Sequence, residues 1–243
     1  MNIRRVITSV TSAALTCAAL ATPNASALSG GYNAQRNPTT DAILQSVSLE
    51  NSMNCTGTMI SSTWAIFAKH CVGDNNGFGL ATAGVDLLGQ KQVIRGMYVH
   101  PEADIALVKL AAPLRIKPVP LATSAPAKGT KGHFYGWGGK IALGHTNLTQ
   151  ADVVVNGVKP NQAGLDRVGV TTYGNAKFVP GDSGGPFIAD GKLQGILSTS
   201  SIQGTYGSTQ GWFFPVADYR SWIDYTMNTI DARDQQLSSS LSS

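Results

Sequence analysis

The segment best suited to covalent chemistry is Gly181-Asp182-Ser183-Gly184-Gly185-Pro186. A serine hydroxyl is a weak nucleophile until a base removes its proton and donors stabilise the oxyanion that forms on the substrate. Glycine at 181, 184 and 185 frees the backbone for unusual dihedral angles. It also lets amide N–H groups approach a carbonyl with no side chain in the way. Glycine pairs alone mark ordinary turns, but the whole string is rarely accidental.

A nucleophile needs a base, and beyond residue 27 the chain has four histidines: His70, His100, His133 and His145. His70 follows a mostly apolar run and adjoins Cys71. His100 precedes Pro101 and reads as a turn residue, while His133 and His145 sit in glycine-rich surroundings with no evident orienting partner. The base in turn needs an acid. Asp104 begins the apolar run Ala103-Asp104-Ile105-Ala106-Leu107-Val108, and a carboxylate buried there requires hydrogen-bond partners, of which a histidine N–H is one. A solvent-facing aspartate at a strand end is an equally good reading of that residue taken alone.

The elements that must position these groups read as short strands. Only 13% of the 243 residues are charged, and 27 are glycine, a composition suited to strands joined by turns. Residues 1–27 read as a secretory signal peptide: Arg4 and Arg5, a mostly apolar stretch from Val6 to Leu20, then Ala25-Ser26-Ala27 as a cleavage signature. Its removal leaves 216 residues, lowers the net charge from +4 to +2 and takes Cys17 away. The remaining charge argues weakly for a nucleic-acid or membrane partner. Cys55 and Cys71, in an exported chain, read as one disulfide rather than as a metal site. Strands are expected at Ile43–Leu49, to Thr58 and on through Met59-Ile60, at Trp64–Phe67, Val93–Val99 and Ile105–Leu110. A second set is expected at Lys131–Trp137, Ala151–Val155, Pro186–Ile188, Leu193–Ser198 and Gly211–Val216. Pro113, Pro118, Pro120 and Pro126 mark a linker between the two sets. Tyr219, Trp222, Ile223, Thr226, Met227 and Ile230 recur at helical spacing. They predict a terminal helix over about 217–230, and the serine-rich residues 231–243 read as a disordered tail.

Together these segments resemble the trypsin/chymotrypsin family of serine peptidases. The resemblance is carried by Cys55 to Ile60, by Ala68-Lys69-His70-Cys71, by His100-Pro101 with Asp104-Ile105-Ala106-Leu107 and by Gly136-Trp137-Gly138. Gly181 to Pro186, Leu193 to Ser198, Gly211-Trp212-Phe213 and Tyr219 to Ile223 extend it over about Leu28 to Ile230. It implies an all-β fold of two six-stranded antiparallel Greek-key β-barrels with a C-terminal helix, divided at about 28–120 and 121–216. It also implies a catalytic triad of Ser183, His70 and Asp104, with an oxyanion hole made by the amides of Gly181 and Ser183. Lys177, Ser198, Thr199, Ser200 and Gly211 would line the substrate cleft, and Cys55 would pair with Cys71. The family's activation pair would be Leu28, exposed as a new N-terminus by cleavage after Ala27, with Asp182. Signal removal alone would then yield the active enzyme.

The chain departs from the family pattern in several places. Val179 replaces the cysteine that usually braces the loop before the serine, and its partner near Thr199-Ser200 is missing too. The loop before Asp104 is short, and two lysines stand at unusual positions. Lys177 stands where trypsin-like enzymes carry a specificity aspartate, so strict cleavage after Lys or Arg is not expected; a solvated lysine is the expected state, because long cations avoid burial. Lys69 stands where alanine is usual, and if aimed at the imidazole it would lower the histidine pKa by charge repulsion. The expected activity is a secreted, extracellular serine endopeptidase. An esterase or amidase, and a silent binding protein on the same scaffold, are the competing readings. Expected partners are polypeptide substrates and protein protease inhibitors. No nucleic acid, stable membrane association, metal or other cofactor is expected, and the chain is expected to be a monomer.

Overall fold

The computed structural model describes residues 28–47, 54–72, 79–138, 147–201 and 207–242. After a two-residue strand, β1 (Tyr32–Asn33), the chain builds a first barrel from β2 (Ile43–Val47), β3 (Asn54–Met59), β4 (Trp64–Phe67), β5 (Leu80–Ala83), β6 (Gln90–Val99) and β7 (Ala106–Leu110). The strands pair antiparallel in the order β2-β3-β4-β7-β6-β5, and β5 closes on β2. Closure leaves no free edge. The linker that follows is pinned at several points: Val119 donates to Met59 O, Leu193 to Pro120 O, and Ala122 to Leu193 O.

The second barrel comprises β8 (Lys131–Gly136), β9 (Thr149–Pro160), β10 (Asp166–Thr172), β11 (Pro186–Ala189), β12 (Lys192–Ser200) and β13 (Gln210–Pro215). Their order is β9-β10-β13-β12-β11-β8, closed by β8 on β9. Its core is aromatic. Phe134, Phe178, Phe187 and Phe213 are buried and meet edge to face, with ring centroids 4.9 Å apart for Phe134 and Phe178. That arrangement suits the ring quadrupoles.

Three expectations need correction. The first barrel does not begin at residue 28: β1 pairs with β9, Tyr32 opposite Gln150, and Leu28 is buried in the aromatic core of the second barrel. Strands β5 and β10 went unpredicted. Leu80–Ala83 is short and small, and Gly169 breaks the apolar pattern of β10. Residues 231–243 are not a disordered tail over their described length, for α1 runs from Arg220 to Leu241. In its last turns Ser238, Ser239 and Ser240 donate their hydroxyls to the carbonyls of Gln235, Gln236 and Leu237, each at 2.8 Å, so the serines bond locally within the helix. Among the described residues no helix is long and apolar enough to cross a membrane.

The helix joins the two barrels. At its start Arg220 donates to the Leu121 and Ala122 carbonyls, and Ile223 is fully buried. Two turns later it reaches the first barrel. Asp231 accepts from Trp64 Nε1 at 3.1 Å and pairs with Lys109 of β7; Asp234 also pairs with Lys109 and holds Arg95 of β6 at 2.7 Å. The Lys109 side chain is only 9% exposed, and burying a cation without a counter-charge is costly. Deleting residues 231–243 is therefore expected to destabilise the protein by about 3 kcal/mol. Lys109→Met in the truncated chain should restore part of that, read as paired shifts in the urea midpoint.

Candidate active site

His70 and Asp104 both belong to the first barrel. His70 lies in a single 3-10 turn (Lys69–Cys71) after β4, and Cys71 is disulfide-bonded to Cys55 of β3. Asp104 sits two residues before β7. Its Oδ1 accepts the His70 backbone N–H at 2.9 Å, and its Oδ2 lies 2.8 Å from His70 Nδ1. From the second barrel, Ser198 Oγ donates to the same Oδ2 at 2.6 Å. Burial alone would push the Asp104 carboxyl up, but the bonds from His70 and Ser198 outweigh it and hold the group below the usual carboxylate range. The aspartate thus stays ionised, and the Nδ1 proton it attracts leaves Nε2 as the basic nitrogen.

Ser183 follows a tight turn whose backbone bonds are nearly all accounted for. Asp182 N donates to Val179 O, Gly184 N to Leu197 O, and Gly185 N to Asp182 O. The amides of Gly181 and Ser183 donate to no acceptor among the described residues. Such donors are rarely left unclaimed in a folded protein without reason. Two glycines are obligatory here. Gly181 has φ +101°, and Gly184 has φ +79° with so close a neighbour that a Cβ would lie 2.3 Å from Thr56 O. The serine is half-buried, and its carbonyl accepts from Thr56 N at 2.9 Å.

Asp182 is fully buried. Its oxygens accept from Gly138 N at 2.8 Å and Val179 N at 2.9 Å. A Cβ on Gly136 or Gly138 would lie 2.0 or 2.4 Å from Oδ1, so the Gly-Trp-Gly loop exists to make room for this carboxylate. Burial pushes the carboxyl up to about 7, against the lowering effect of the two amides. Leu28 is buried in the same core cluster as Phe178, which precedes this turn. Lys177 N donates to Ser29 O at 2.7 Å, and a Cβ on Gly30 would meet Asn175 O at 2.5 Å. Leu28 itself has φ +43°, a conformation uncommon for a side-chain-bearing residue.

The expected cleft residues fall on β12, β13 and the segment before the turn. Ser198 is buried, Thr199 exposed and Ser200 half-buried. Gly211 is buried against an apolar wall: a Cβ there would lie 2.8 Å from Leu197 Cδ1 and 3.0 Å from ring atoms of Phe178 and Phe213. Lys177 is half-buried rather than fully solvated. Lys69 does not aim at the imidazole. Its Nζ donates to the carbonyls of His100 and Pro101 at 3.0 and 3.2 Å, bracing the segment that leads to Asp104.

His100 is the turn residue expected. Its Nδ1 accepts from Ala103 N and Glu102 N, and its ring lies edge-on to Tyr219 and Trp222. His133 does have an acidic partner, Asp152 Oδ1 at 2.9 Å, on neighbouring strands β8 and β9. His145 lies outside the described residues. Sequence reasoning also missed Arg167 of β10, whose Nη1 donates to Thr199 Oγ1 at 3.1 Å. No local spacing could have found that contact, because β13 lies between the two strands.

The comparisons agree with this architecture. A family model described as Trypsin matches residues 28–223. An uncharacterized peptidase of Corynebacterium glutamicum (strain R) is 38% identical over 221 residues, covering 88% of this chain and 79% of the relative. A trypsin of Sus scrofa is 30% identical over 227 residues, covering 82% and 94%. Among solved structures, neuropsin, a serine protease of mouse brain, aligns with a TM-score of 0.68 at 23% identity, over 82% of this chain and 99% of that one, a likeness of fold. The chain belongs to the trypsin family and is a serine-type endopeptidase.

Proposed function

We propose that the protein is a secreted endopeptidase that cleaves peptide bonds through an acyl-enzyme on Ser183. His70 Nε2 takes the serine proton as the bond to the carbonyl carbon forms, then delivers it to the leaving amine. Asp104 holds the ring in the tautomer that leaves Nε2 free and stabilises the imidazolium. The unclaimed amides of Gly181 and Ser183 receive the oxyanion, each worth about 3 kcal/mol in the barrier. Water then repeats the sequence to release the acid. The observation that carries this reading is the aspartate bonded jointly by His70 and Ser198, together with the amides of Gly181 and Ser183, which have no acceptor among the described residues. The apolar wall beside Gly211 supports a neutral residue before the scissile bond rather than Lys or Arg.

The same reading assigns residues 1–27 to export and makes their removal the activating step. Leu28, buried beside Phe134 and Phe178 in the second-barrel core, would carry the new ammonium toward Asp182. Cleavage also abolishes the strained torsion at Leu28, since φ is defined only while residue 27 is attached. The test is covalent labelling by a fluorophosphonate. The secreted chain should label at one site and digest casein, and Ser183→Ala should do neither. Labelling that persists in Ser183→Ala would overturn the assignment.

A further inference from the structure

Arg167 has no use in the chemistry above, yet its position is built. It projects from β10 beside the exposed Thr199 of β12, and its guanidinium carbon lies 5.4 Å from the centre of the Trp212 ring on the intervening strand. Gly169, two residues on, leaves room for that ring: a Cβ there would lie 3.0 Å from Trp212 Cζ3. Trp212 and Thr199 therefore hold the cation on one face of the β10-β13-β12 sheet.

The guanidinium is under-used for a group so placed. It carries five N–H donors. One meets Thr199, and the Nε donor is buried with no partner. Among the described residues no carboxylate lies within ion-pair distance of it. The Asp104 charge acts on it through space but is committed to His70 and Ser198. Burial disfavours the charged form of Arg167. A half-buried cation stacked on an aromatic ring and lacking an anion is a receptor for one, and guanidinium and carboxylate match in a bidentate fork.

The position of Arg167 indicates what supplies that anion. If Ser198–Ser200 offers its backbone to the substrate, the peptide runs along β12 as an added strand, and its side chains fall alternately to either face. Thr199 is the outward residue of that stretch, so a substrate side chain passing over it meets Arg167. We infer that Arg167 is a specificity-determining residue that selects substrates with an acidic side chain two to four residues before the scissile bond. This rests on the peptidase reading of Ser183 given above.

The test uses the mature enzyme and matched fluorogenic peptides that differ only in Glu or Gln at the second, third or fourth position before the scissile bond. At one of these positions the wild type should cleave the Glu peptide about tenfold better in kcat/KM, and the ratio should shrink at high salt. Arg167→Met should bring the ratio to about one, whereas Arg167→Lys should keep part of it. Fluorophosphonate labelling of Ser183 reports whether each variant is folded. Labelled wild-type enzyme with no Glu preference at any position, or a preference that survives in Arg167→Met, overturns this inference alone. Absence of labelling and of turnover in the wild type overturns it together with the peptidase reading.

Discussion

Asp104→Asn should lower kcat by about four orders of magnitude, roughly 5 kcal/mol in the barrier, with little loss of stability. The carboxylate does three things at once: it accepts the His70 amide, faces His70 Nδ1 and accepts the Ser198 hydroxyl. An asparagine of the same shape can still accept the His70 amide through its oxygen, but the nitrogen in the place of Oδ2 accepts neither Nδ1–H nor the Ser198 hydroxyl. Its amide nitrogen would donate to Nδ1 instead, moving the ring proton to Nε2, where the base is needed. Steady-state turnover and the rate of fluorophosphonate labelling should fall in parallel. A variant within tenfold of wild type would mean that His70 does not depend on this carboxylate.

The second large effect concerns residue 28. Two chains should be compared, one beginning at Leu28 and one carrying residues before it. In the longer chain Asp182 is buried with two amide donors, and its carboxyl is raised from 3.8 to about 7. Between these values the folded state keeps a proton that the unfolded state has released. Stability of the longer chain therefore falls as pH rises, by a total of about 4 kcal/mol above neutrality. A Leu28 ammonium would favour the charged carboxylate and remove that slope. Urea midpoints measured from about pH 5 to about pH 8 should diverge for the two chains, the longer one losing stability. Parallel curves would sink the pairing of Leu28 with Asp182. Activity should follow the same division, because Asp182 lies between the two amides assigned to the oxyanion.

What the sequence revealed and what it hid follow from the range of the interactions. Ser183, His70 and Asp104 stood out because each sits in a short string whose neighbours serve the same purpose. The glycines around Ser183 fix one turn, and the apolar run after Asp104 is one strand. The role of Gly136 and Gly138 stayed obscure, because what they accommodate, the Asp182 carboxylate, lies 44 residues beyond Gly138. The helical tail was misread for a related reason. Serines lower helix propensity, but Asp231 and Asp234 are drawn to Lys109, more than a hundred residues earlier. Lys69 shows the limit in miniature: its neighbour in sequence is His70, but its ammonium goes to the carbonyls of residues 100 and 101.

The exchange of chain ends between the barrels has a consequence for fragments of this protein. Leu28–Asn33, the start of the described chain, completes the second barrel, and Asp231 and Asp234, near its end, neutralise the first. A scission in the proline linker therefore cannot release two self-sufficient halves. The upstream piece would retain a buried lysine with no counter-charge, and the downstream piece would lack the residue that fills its aromatic core. Each fragment carries what the other needs, so the two should fold by mutual complementation and poorly apart.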